Sequence, residues 1–439
     1  MFRSAFHGGV HPPENKHITD GSLFSNLSVP GVCYVPLTQH IGASAEPVVQ
    51  VGDIVAEGQL IGKAAGFVSA NVHSPVPGKV TEIRELATIY GKKLGVVIEA
   101  DGAFHTDWSQ AVQNIDALSK EDIISAVKEA GITGLGGASF PTAVKLSPPP
   151  DSPVDTLVIN GAECEPYLTV DDVLMRTFPS EIIQGIQITM KALGVNKAII
   201  GIEDNKSGAV KAIKDKAAEL DVKGSIKVKA LRTKYPQGAE KQLIYSLTKR
   251  VVPSGGLPAQ VGVVVQNVGT IFAIREAALL KKPLYERYIT VSGSLINKPG
   301  NYKVRIGTLV ADIIEDCGGL KGNPAKVIMG GPMCGISLPS VNTPVVKGTS
   351  GLLFLSAKEI APRDYSACIR CGKCVSVCPM GLLPCDLGNA VETRNYDISD
   401  KLHPLDCIMC GACKFTCPAG RPLPHFIKLA QNHLRSQKK

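Results

Sequence analysis

Residues 368–379, CIRCGKCVSVCP, and residues 407–418, CIMCGACKFTCP, carry the strongest structural signal in this chain. Both follow the pattern C-x2-C-x2-C-x3-C-P, and the second run repeats the first 39 residues later. In such runs the first three thiolates surround one iron–sulfur cubane, whereas the fourth, before proline, ligates the other cluster. The spacing therefore predicts two [4Fe–4S] clusters.

The crossed pattern assigns four ligands to each cluster. The first cluster should be bound by Cys368, Cys371, Cys374 and Cys417, and the second by Cys407, Cys410, Cys413 and Cys378. Zinc usually combines pairs of C-x2-C, and cytosolic thiols stay reduced, so zinc and disulfides fit less well. The other cysteines lack ligand spacing and are interpreted as small buried residues: Cys33, Cys164, Cys317, Cys334 and Cys385. Cys385, close to the first run, is also considered as a substitute ligand.

Composition indicates a soluble protein of several domains. The chain has 439 residues, of which 44% are hydrophobic and 20% charged, and its mean hydropathy is +0.11. No stretch approaches the ~18 apolar residues of a membrane span, and the first residues lack the apolar core of a signal peptide. We therefore expect a cytoplasmic protein that does not cross a membrane by itself.

The net charge of +8 is accompanied by a basic C-terminal tail without acidic residues. Its basic residues are Arg421, Lys428, Arg435, Lys438 and Lys439. Such a tail can favour acidic partner surfaces or the anionic face of a membrane, and a solvated terminal helix is the alternative. Nucleic-acid binding would need a denser basic patch or a recognisable module.

Short strands are predicted in the N-terminal region. Residues 47–83 alternate β-branched runs with Gly-Asp, Glu-Gly and Pro-Gly turns, which is typical of a small β-sandwich. This segment resembles the lipoyl/biotinyl hammerhead fold, in which a lysine on a hairpin carries the prosthetic group. Here the hairpin reads Gly66-Phe67-Val68-Ser69-Ala70 without a lysine. The resemblance therefore implies a structural module or a docking surface.

Helices and strands alternate from about residue 120. Helices are expected at 120–130, 180–193 and 207–220, and strands at 156–160, 197–203 and 225–231. Strands separated by helices indicate parallel βαβ units, and hence a Rossmann-like α/β domain. Residues 284–320 give short strands, a Pro-Gly turn and one helix, and resemble the soluble-ligand-binding β-grasp (SLBB) family. The expected domains are therefore 1–115, 116–280, 281–361 and 362–439.

A glycine-rich segment, residues 131–145, is a candidate phosphate loop. Its glycines expose backbone N–H groups, and Lys145 follows to meet an anion. Glycine-rich turns also occur for purely steric reasons, so the segment alone leaves both interpretations open.

Four segments in order resemble the FMN- and NADH-binding subunit of respiratory complex I, over roughly residues 120–275. They read GLGGASFPTAVK, NGAECEP, YPQGAE and QNVGT. The resemblance implies that the flavin phosphate is lined by Gly134, Gly136, Gly137 and Lys145. It implies that the ribityl chain and isoalloxazine are held by Asn160, Glu163, Tyr235, Asn267 and Thr270. NADH would meet Phe140, Glu165 and Glu240. Three positions depart from the pattern by losing a polar side chain: Leu135, Ala162 and Ala239.

The complete order of segments, from FHGGVHPPENK at the start to the cysteine runs, is similar to the RnfC family, the peripheral subunits of Rnf ion-translocating ferredoxin:NAD oxidoreductases. The resemblance implies hydride exchange between NAD(H) and FMN and a relay of single electrons through two clusters. Partners would be the other subunits of a membrane complex and, indirectly, ferredoxin, with peripheral placement on the cytoplasmic side of a bacterial inner membrane. His7, His11 and His17 are interpreted as part of a structured loop rather than a metal site.

Two alternatives remain at this point. Soluble cobalamin reductases of propanediol-utilising microcompartments share the flavin, β-grasp and cluster segments, although that family begins close to the glycine-rich loop. An iron–sulfur adaptor without its own nucleotide site is the other, because three polar positions of the flavin pattern are missing.

Overall fold

The computed structural model describes residues 5–102, 108, 114–220, 222, 224–360 and 364–437. Its N-terminal part contains β1 (Phe24–Asn26), β2 (Val32–Pro36), β3 (Glu46–Pro47), β4 (Ile54–Val55), β5 (Leu60–Lys63), β6 (Val72–His73), β7 (Gly78–Thr88) and β8 (Gly91–Ala100). Strands β2, β8, β7 and β4 form one antiparallel sheet, and β3, β5 and β6 form a smaller one. Apolar side chains of both sheets meet in one core, as expected for alternating strands with one buried face.

The central part is an α/β unit. Its strands are β9 (Thr156–Gly161), β10 (Ala198–Glu203), β11 (Ile226–Leu231) and β12 (Val263–Asn267). Its helices are α1 (Lys120–Glu129), α2 (Thr142–Lys145), α3 (Val170–Thr177), α4 (Pro179–Leu193), α5 (Ser207–Glu219), α6 (Glu240–Thr248) and α7 (Val268–Leu280). The strands pair in the order β11-β10-β9-β12, all in parallel. The predicted helices and strands of this unit are confirmed to within one or two residues.

The third unit is a mixed six-stranded sheet. It contains β13 (Glu286–Ser292), β14 (Gly300–Arg305), α8 (Val310–Asp316), β15 (Lys326–Met329), β16 (Ile336–Ser337), β17 (Gly351–Leu355) and α9 (Ala357–Ile360). The strand order is β1-β14-β13-β17-β15-β16. Strand β1, from the N-terminal part, pairs in parallel with β14, so the first segment of the chain completes a sheet formed almost three hundred residues later. The sequence pattern did not indicate this pairing.

The C-terminal unit consists of short helices around the two cysteine runs. They are α10 (Lys373–Ser376), α11 (Pro384–Glu392), α12 (Tyr396–Lys401), α13 (Ala412–Thr416) and α14 (Leu423–Gln437). Helix α14 packs its apolar face inward. The predicted basic tail is wrong at Arg421, which is 1% exposed and donates to Asn389 Oδ1 at 2.6 Å while pairing with Glu392. Lys438 and Lys439 lie outside the described residues.

No helix within the described part of the chain has the length and apolar character needed to cross a membrane.

Candidate cofactor sites

The two cysteine runs fold into two cavities. The first is lined by Cys368, Cys371, Cys374 and Cys417, with Cys385 beside them. The second is lined by Cys378, Cys407, Cys410 and Cys413. Each cavity thus combines three thiols of one run with the last thiol of the other, which is the grouping that the crossed pattern predicts.

The backbone of the two runs repeats as well. Gly372 and Gly411 adopt left-handed φ angles of 71° and 77° and are the residues immediately before α10 and α13. Arg370 and Met409, two residues before them, are also left-handed, with φ of 54° and 56°. Side-chain-bearing residues rarely adopt this conformation, so its recurrence indicates a turn imposed by what each run must surround.

The thiols suit a positively charged centre. Burial raises the pKa of Cys374 to about 12 and that of Cys410 to about 11. Burial alone would keep these two thiols protonated, so they could act as thiolate ligands only where a bound metal centre stabilises the charge. The grouping of four thiols around each cavity is what fits the residues to iron–sulfur clusters. In the described ranges, no three His, Cys, Asp or Glu side chains are grouped so as to hold a single metal ion.

The glycine-rich loop reverses direction at the edge of the α/β unit. Gly134 N donates to Phe140 O at 2.9 Å, and Leu135 N donates to Thr270 Oγ1 at 3.0 Å. Gly136 packs on Asn267 so closely that a Cβ would lie 2.5 Å from its Nδ2, whereas a Cβ on Gly137 would meet nothing within 4 Å. The loop therefore brings predicted flavin residues together and leaves open space at Gly137.

Lys145 and Glu240 form an ion pair beside this loop. Lys145 Nζ donates to Glu240 Oε1 at 2.8 Å and to Val265 O at 3.2 Å. Two buried polar atoms of adjoining residues, Thr142 Oγ1 and Gln266 Nε2, have no hydrogen-bond partner in the described structure. Buried polar groups are rarely left unpaired, so a ligand rich in oxygen, such as FMN, fits here.

Two asparagines mark the carboxyl ends of neighbouring strands. Asn160 Nδ2 donates to Gly238 O at 2.8 Å, and Asn267 Nδ2 donates to Asp171 Oδ2 at 2.7 Å. This edge of a parallel sheet is where ligands bind in open α/β folds. Asp171 was missed by sequence reasoning. Burial raises the pKa of its carboxyl, and its place in the first turn of α3 was the sequence signal that could have indicated it.

Glu163 is turned toward the start of helix α3. Its Oε1 accepts from Asp171 N at 2.6 Å, its Oε2 lies 3.9 Å from Lys16 Nζ, and its own φ is 45°. Burial raises the pKa of Glu163 to about 7. The predicted role of this carboxylate toward the flavin stays a prediction, since its oxygens already satisfy the helix N-terminus.

Glu165 is engaged by the loop 330–335 of the third unit. It accepts from Met333 N at 3.0 Å and from Cys334 N at 2.8 Å. Gly331 lies against it, and a Cβ there would be 2.2 Å from Glu165 Oε2. Glu165 is therefore bound by the third unit while Glu240 pairs with Lys145, and their predicted contact with NADH stays a prediction. Phe140, in the glycine-rich loop, is half-buried.

The α/β unit and the cysteine unit meet at Tyr235. Its hydroxyl donates to Cys410 O at 2.8 Å, and its backbone exchanges hydrogen bonds with Val10. Gly9 N donates to Val377 O at 2.8 Å, next to the crossing ligand Cys378. Sequence reasoning missed this junction, and the Gly8-Gly9 pair was its only visible signal.

Other junction contacts also lie on the side of the second cavity. Gln242 Nε2 donates to Pro379 O at 3.1 Å. Ser254 Oγ and Gly255 N both donate to the carboxylate of Asp406, which precedes the second cysteine run. By contrast, the first cavity includes Cys371, which is exposed. The second cavity therefore faces the α/β unit, and the first lies toward solvent.

Family profiles match four successive segments of the chain. They are the RnfC barrel sandwich hybrid domain at residues 4–103, the Nuo51 FMN-binding domain at 127–276, the SLBB domain at 288–337 and the 4Fe-4S dicluster domain at 367–421. The multidomain α/β architecture and the FMN and [4Fe–4S] cofactors are thereby confirmed.

Curated relatives that match over most of the chain are C subunits of ion-translocating complexes. That of the proton-translocating ferredoxin:NAD(+) oxidoreductase complex of Clostridium ljungdahlii is 47% identical, over 87% of this chain and 83% of that protein. That of the Na(+)-translocating ferredoxin:NAD(+) oxidoreductase complex of Acetobacterium woodii is 44% identical, over 99% and 98%. That of the ion-translocating oxidoreductase complex of Rhodobacter capsulatus is 41% identical, over 97% and 82%.

Among solved structures, the NAD+-reducing [NiFe]-hydrogenase in its H2-reduced state is similar. Its TM-score is 0.51 at 20% identity, covering 76% of this chain and 67% of that one. At this identity the likeness supports the fold alone.

Proposed function

We propose that this chain, which belongs to the family of C subunits of ion-translocating ferredoxin:NAD(+) oxidoreductase complexes, exchanges a hydride between NAD(H) and FMN and relays single electrons through two [4Fe–4S] clusters. Family membership makes the chain an electron-transfer subunit of an oxidoreductase. The single observation that carries the proposal is the contact of Tyr235, from the FMN-type unit, with the carbonyl of Cys410 at the second cysteine cavity.

The chain's own residues would bind and orient the cofactors. FMN, when bound, exchanges two electrons with a nicotinamide and passes them on one at a time. We assign its phosphate to Lys145 and the backbone N–H groups of Gly134, Gly136 and Gly137, because a lysine beside exposed amides binds anions. We assign the remainder of the flavin to Asn160, Glu163, Tyr235, Asn267 and Thr270.

Nicotinamide binding would involve Phe140, Glu165 and Glu240. Phe140 can stack on a flat heterocycle, and carboxylates can accept hydrogen bonds from ribose hydroxyls. Glu240 is held by Lys145, and Glu165 by the loop 330–335. NADH contact with Glu165 would therefore require that loop to move. Contact with Glu240 would require only that NADH replace Lys145 as the partner of its carboxylate.

Electrons would enter at the second cavity and leave from the first. The contacts of Tyr235, Gln242 and Ser254 support this order, because they join the α/β unit to segments around the second cavity. The exposed Cys371 supports an exit to a partner at the first cavity. The ligands would be the two crossed cysteine sets.

The chain would act at the cytoplasmic side of the bacterial inner membrane, as a peripheral subunit held by other subunits of its complex and linked to ferredoxin through them. We retain the division 1–115, 116–280, 281–361 and 362–439, with hammerhead-like, Rossmann-like, β-grasp and ferredoxin-like folds. Strand β1, within 1–115, pairs with β14, within 281–361, so this strand pairing joins two of the domains.

Anaerobic reconstitution tests the proposal. The purified chain is loaded with iron, sulfide and FMN, and NADH is added while the flavin absorbance and cluster EPR are followed. Bleaching of the flavin followed by reduced-cluster signals is the expected result. A cluster-loaded protein that binds neither FMN nor NADH would instead support the iron–sulfur adaptor without its own nucleotide site.

A further inference from the structure

The N-terminal segment FHGGVHPPENK enters the structure at the flavin-type loop. Lys16, its last residue, is 9% exposed as a whole, and its Nζ donates to three backbone carbonyls. These belong to Glu163 at 2.9 Å, Glu165 at 3.0 Å and Leu168 at 2.5 Å. The Lys16 ammonium group thus binds three backbone carbonyls of one loop, residues 163–168.

This loop is held in an unusual conformation. Glu163 and Tyr167 adopt left-handed φ angles of 45° and 66°, which side-chain-bearing residues rarely do. Tyr167 N donates to Glu14 O at 2.8 Å, so the N-terminal segment binds the loop a second time. Three convergent carbonyls repel one another unless a donor satisfies them, and Lys16 supplies three N–H donors. The loop's shape therefore depends on this lysine.

We propose that Lys16 is a positioning residue for the cofactor site: it fixes the loop 163–168, which begins three residues after Asn160 and carries Glu163 and Glu165. This inference rests on the proposed function, in which those residues meet FMN and NADH. Lys16 touches neither cofactor in this assignment. It acts through the loop backbone, so its loss should change how flavin and nicotinamide are held while both clusters stay loaded.

A neighbouring cavity makes the role testable by chemical rescue. Lys16 lines an open cavity of about 240 Å³, together with polar residues that include His17, Asp20 and Asp172. Truncation to alanine would extend this cavity to the three carbonyls. A small primary alkylammonium ion could then enter and donate the missing hydrogen bonds, whereas a tetramethylammonium ion has no N–H group to donate.

The experiment compares the full-length, cluster-loaded chain with Lys16→Ala, with Lys16→Met and with Lys211→Ala, an exposed lysine on α5. FMN dissociation is titrated by flavin fluorescence, the bound flavin is examined by visible circular dichroism, and cluster content is measured by EPR. We expect Lys16→Ala to weaken FMN by roughly ten- to a hundredfold, because charge-assisted hydrogen bonds to the loop are lost. Butylammonium should restore both the affinity and the dichroism, and tetramethylammonium should not.

Lys16→Met is the control that separates loss of the hydrogen bonds from a general loss of folding. Its side chain keeps the apolar stem and fills the space, so it should retain both clusters, bind FMN as weakly as Lys16→Ala and show no rescue by butylammonium. If Lys16→Met and Lys16→Ala bind FMN as the unsubstituted chain does, or if both alkylammonium ions act alike, the inference is overturned. Failure of the unsubstituted chain to bind FMN would instead refute the proposed function.

Discussion

The hydroxyl of Tyr235 lies 2.8 Å from the backbone carbonyl oxygen of Cys410, and this hydrogen bond joins the FMN-type unit to the second cysteine cavity. The carbonyl of Cys410 cannot move away without breaking it, so the bond fixes the distance between the two cofactor regions. Tyr235 is 2% exposed, which keeps water from replacing the contact.

Tyr235→Phe should loosen this junction without removing a cluster. Loss of one buried hydrogen bond costs about 1 kcal/mol. The contact between the α/β unit and the cysteine unit should therefore open roughly fivefold more often. Hydrogen exchange of backbone amides around Cys410 should rise by that factor. Tyr396→Phe, in the same C-terminal unit, is the matched control, because the aromatic stacking of Tyr396 on His433 does not use its hydroxyl. Equal exchange in both variants would show that the hydroxyl does not hold the junction.

Cys378→Ser should damage the cluster that belongs to the second run. Cys378 lines the same cavity as Cys407, Cys410 and Cys413. Serine is a poor ligand for iron in such a cluster, so the EPR signal of this centre should be lost or altered. Cys368→Ser is the counterpart and should affect the other centre. If ligation were not crossed, Cys378→Ser and Cys368→Ser would both damage the centre of the first run and leave that of the second intact.

Lys145→Ala should reduce FMN affinity. A charge-assisted contact contributes about 1.5–3 kcal/mol, so the dissociation constant should rise by roughly ten- to a hundredfold. Glu240→Gln is the control, since it removes the ion-pair partner of Lys145 and leaves the ammonium free for phosphate. Fluorescence titration of the flavin-free protein measures both. Unchanged FMN binding in Lys145→Ala would place the phosphate elsewhere.

Gly9→Ala should detach the N-terminal segment from the cysteine unit. Gly9 has a φ of 82°, and a Cβ would lie 2.6 Å from Tyr235 O, which is backbone and cannot turn aside. We expect a local destabilisation of about 1–3 kcal/mol and faster proteolysis near residue 9. Gly21→Ala, where a Cβ meets nothing within 4 Å, is the control and should be cut no faster than the unsubstituted chain.

Lys347 should make stability depend on pH above neutrality. Its Nζ is buried between Asn71 O and Gly131 O, and burial lowers its pKa to about 7. In the unfolded chain the pKa is near 10.4. Between these values the unfolded state binds more protons, so this group's contribution to the free energy of unfolding increases with pH, by at most ~1.4 kcal/mol per pH unit, and is flat below about pH 7.

Lys347→Met removes that titration. Urea unfolding at several pH values should show the difference in free energy between Lys347→Met and the unsubstituted chain changing between pH 7 and 10. A constant difference across this range would mean that Lys347 keeps an ordinary pKa in the folded state.

The spacing of residues along the sequence was sufficient to predict the helices and strands of the α/β unit and the grouping of the cysteines. The α/β unit was predictable because helix and strand periodicity are properties of neighbouring residues, and its strands and helices appear within one or two residues of the expected positions. The cysteine grouping was predictable because a fixed spacing and a proline direct the fourth thiol away from the first three. The order of segments was also sufficient to indicate the family.

Tertiary structure decided how the side chains are used. The motif indicates NADH binding by Glu165, which stays a prediction, and only the tertiary structure shows that its carboxylate accepts from the loop 330–335, some 168 positions away. Arg421 was counted in a basic tail, yet it is buried against Asn389 and Glu392. Lys16 donates hydrogen bonds to backbone carbonyls of a loop about 150 residues further along the chain. These contacts depend on how the domains pack, and periodicity within a segment carries no information about which distant backbone group will reach a given side chain.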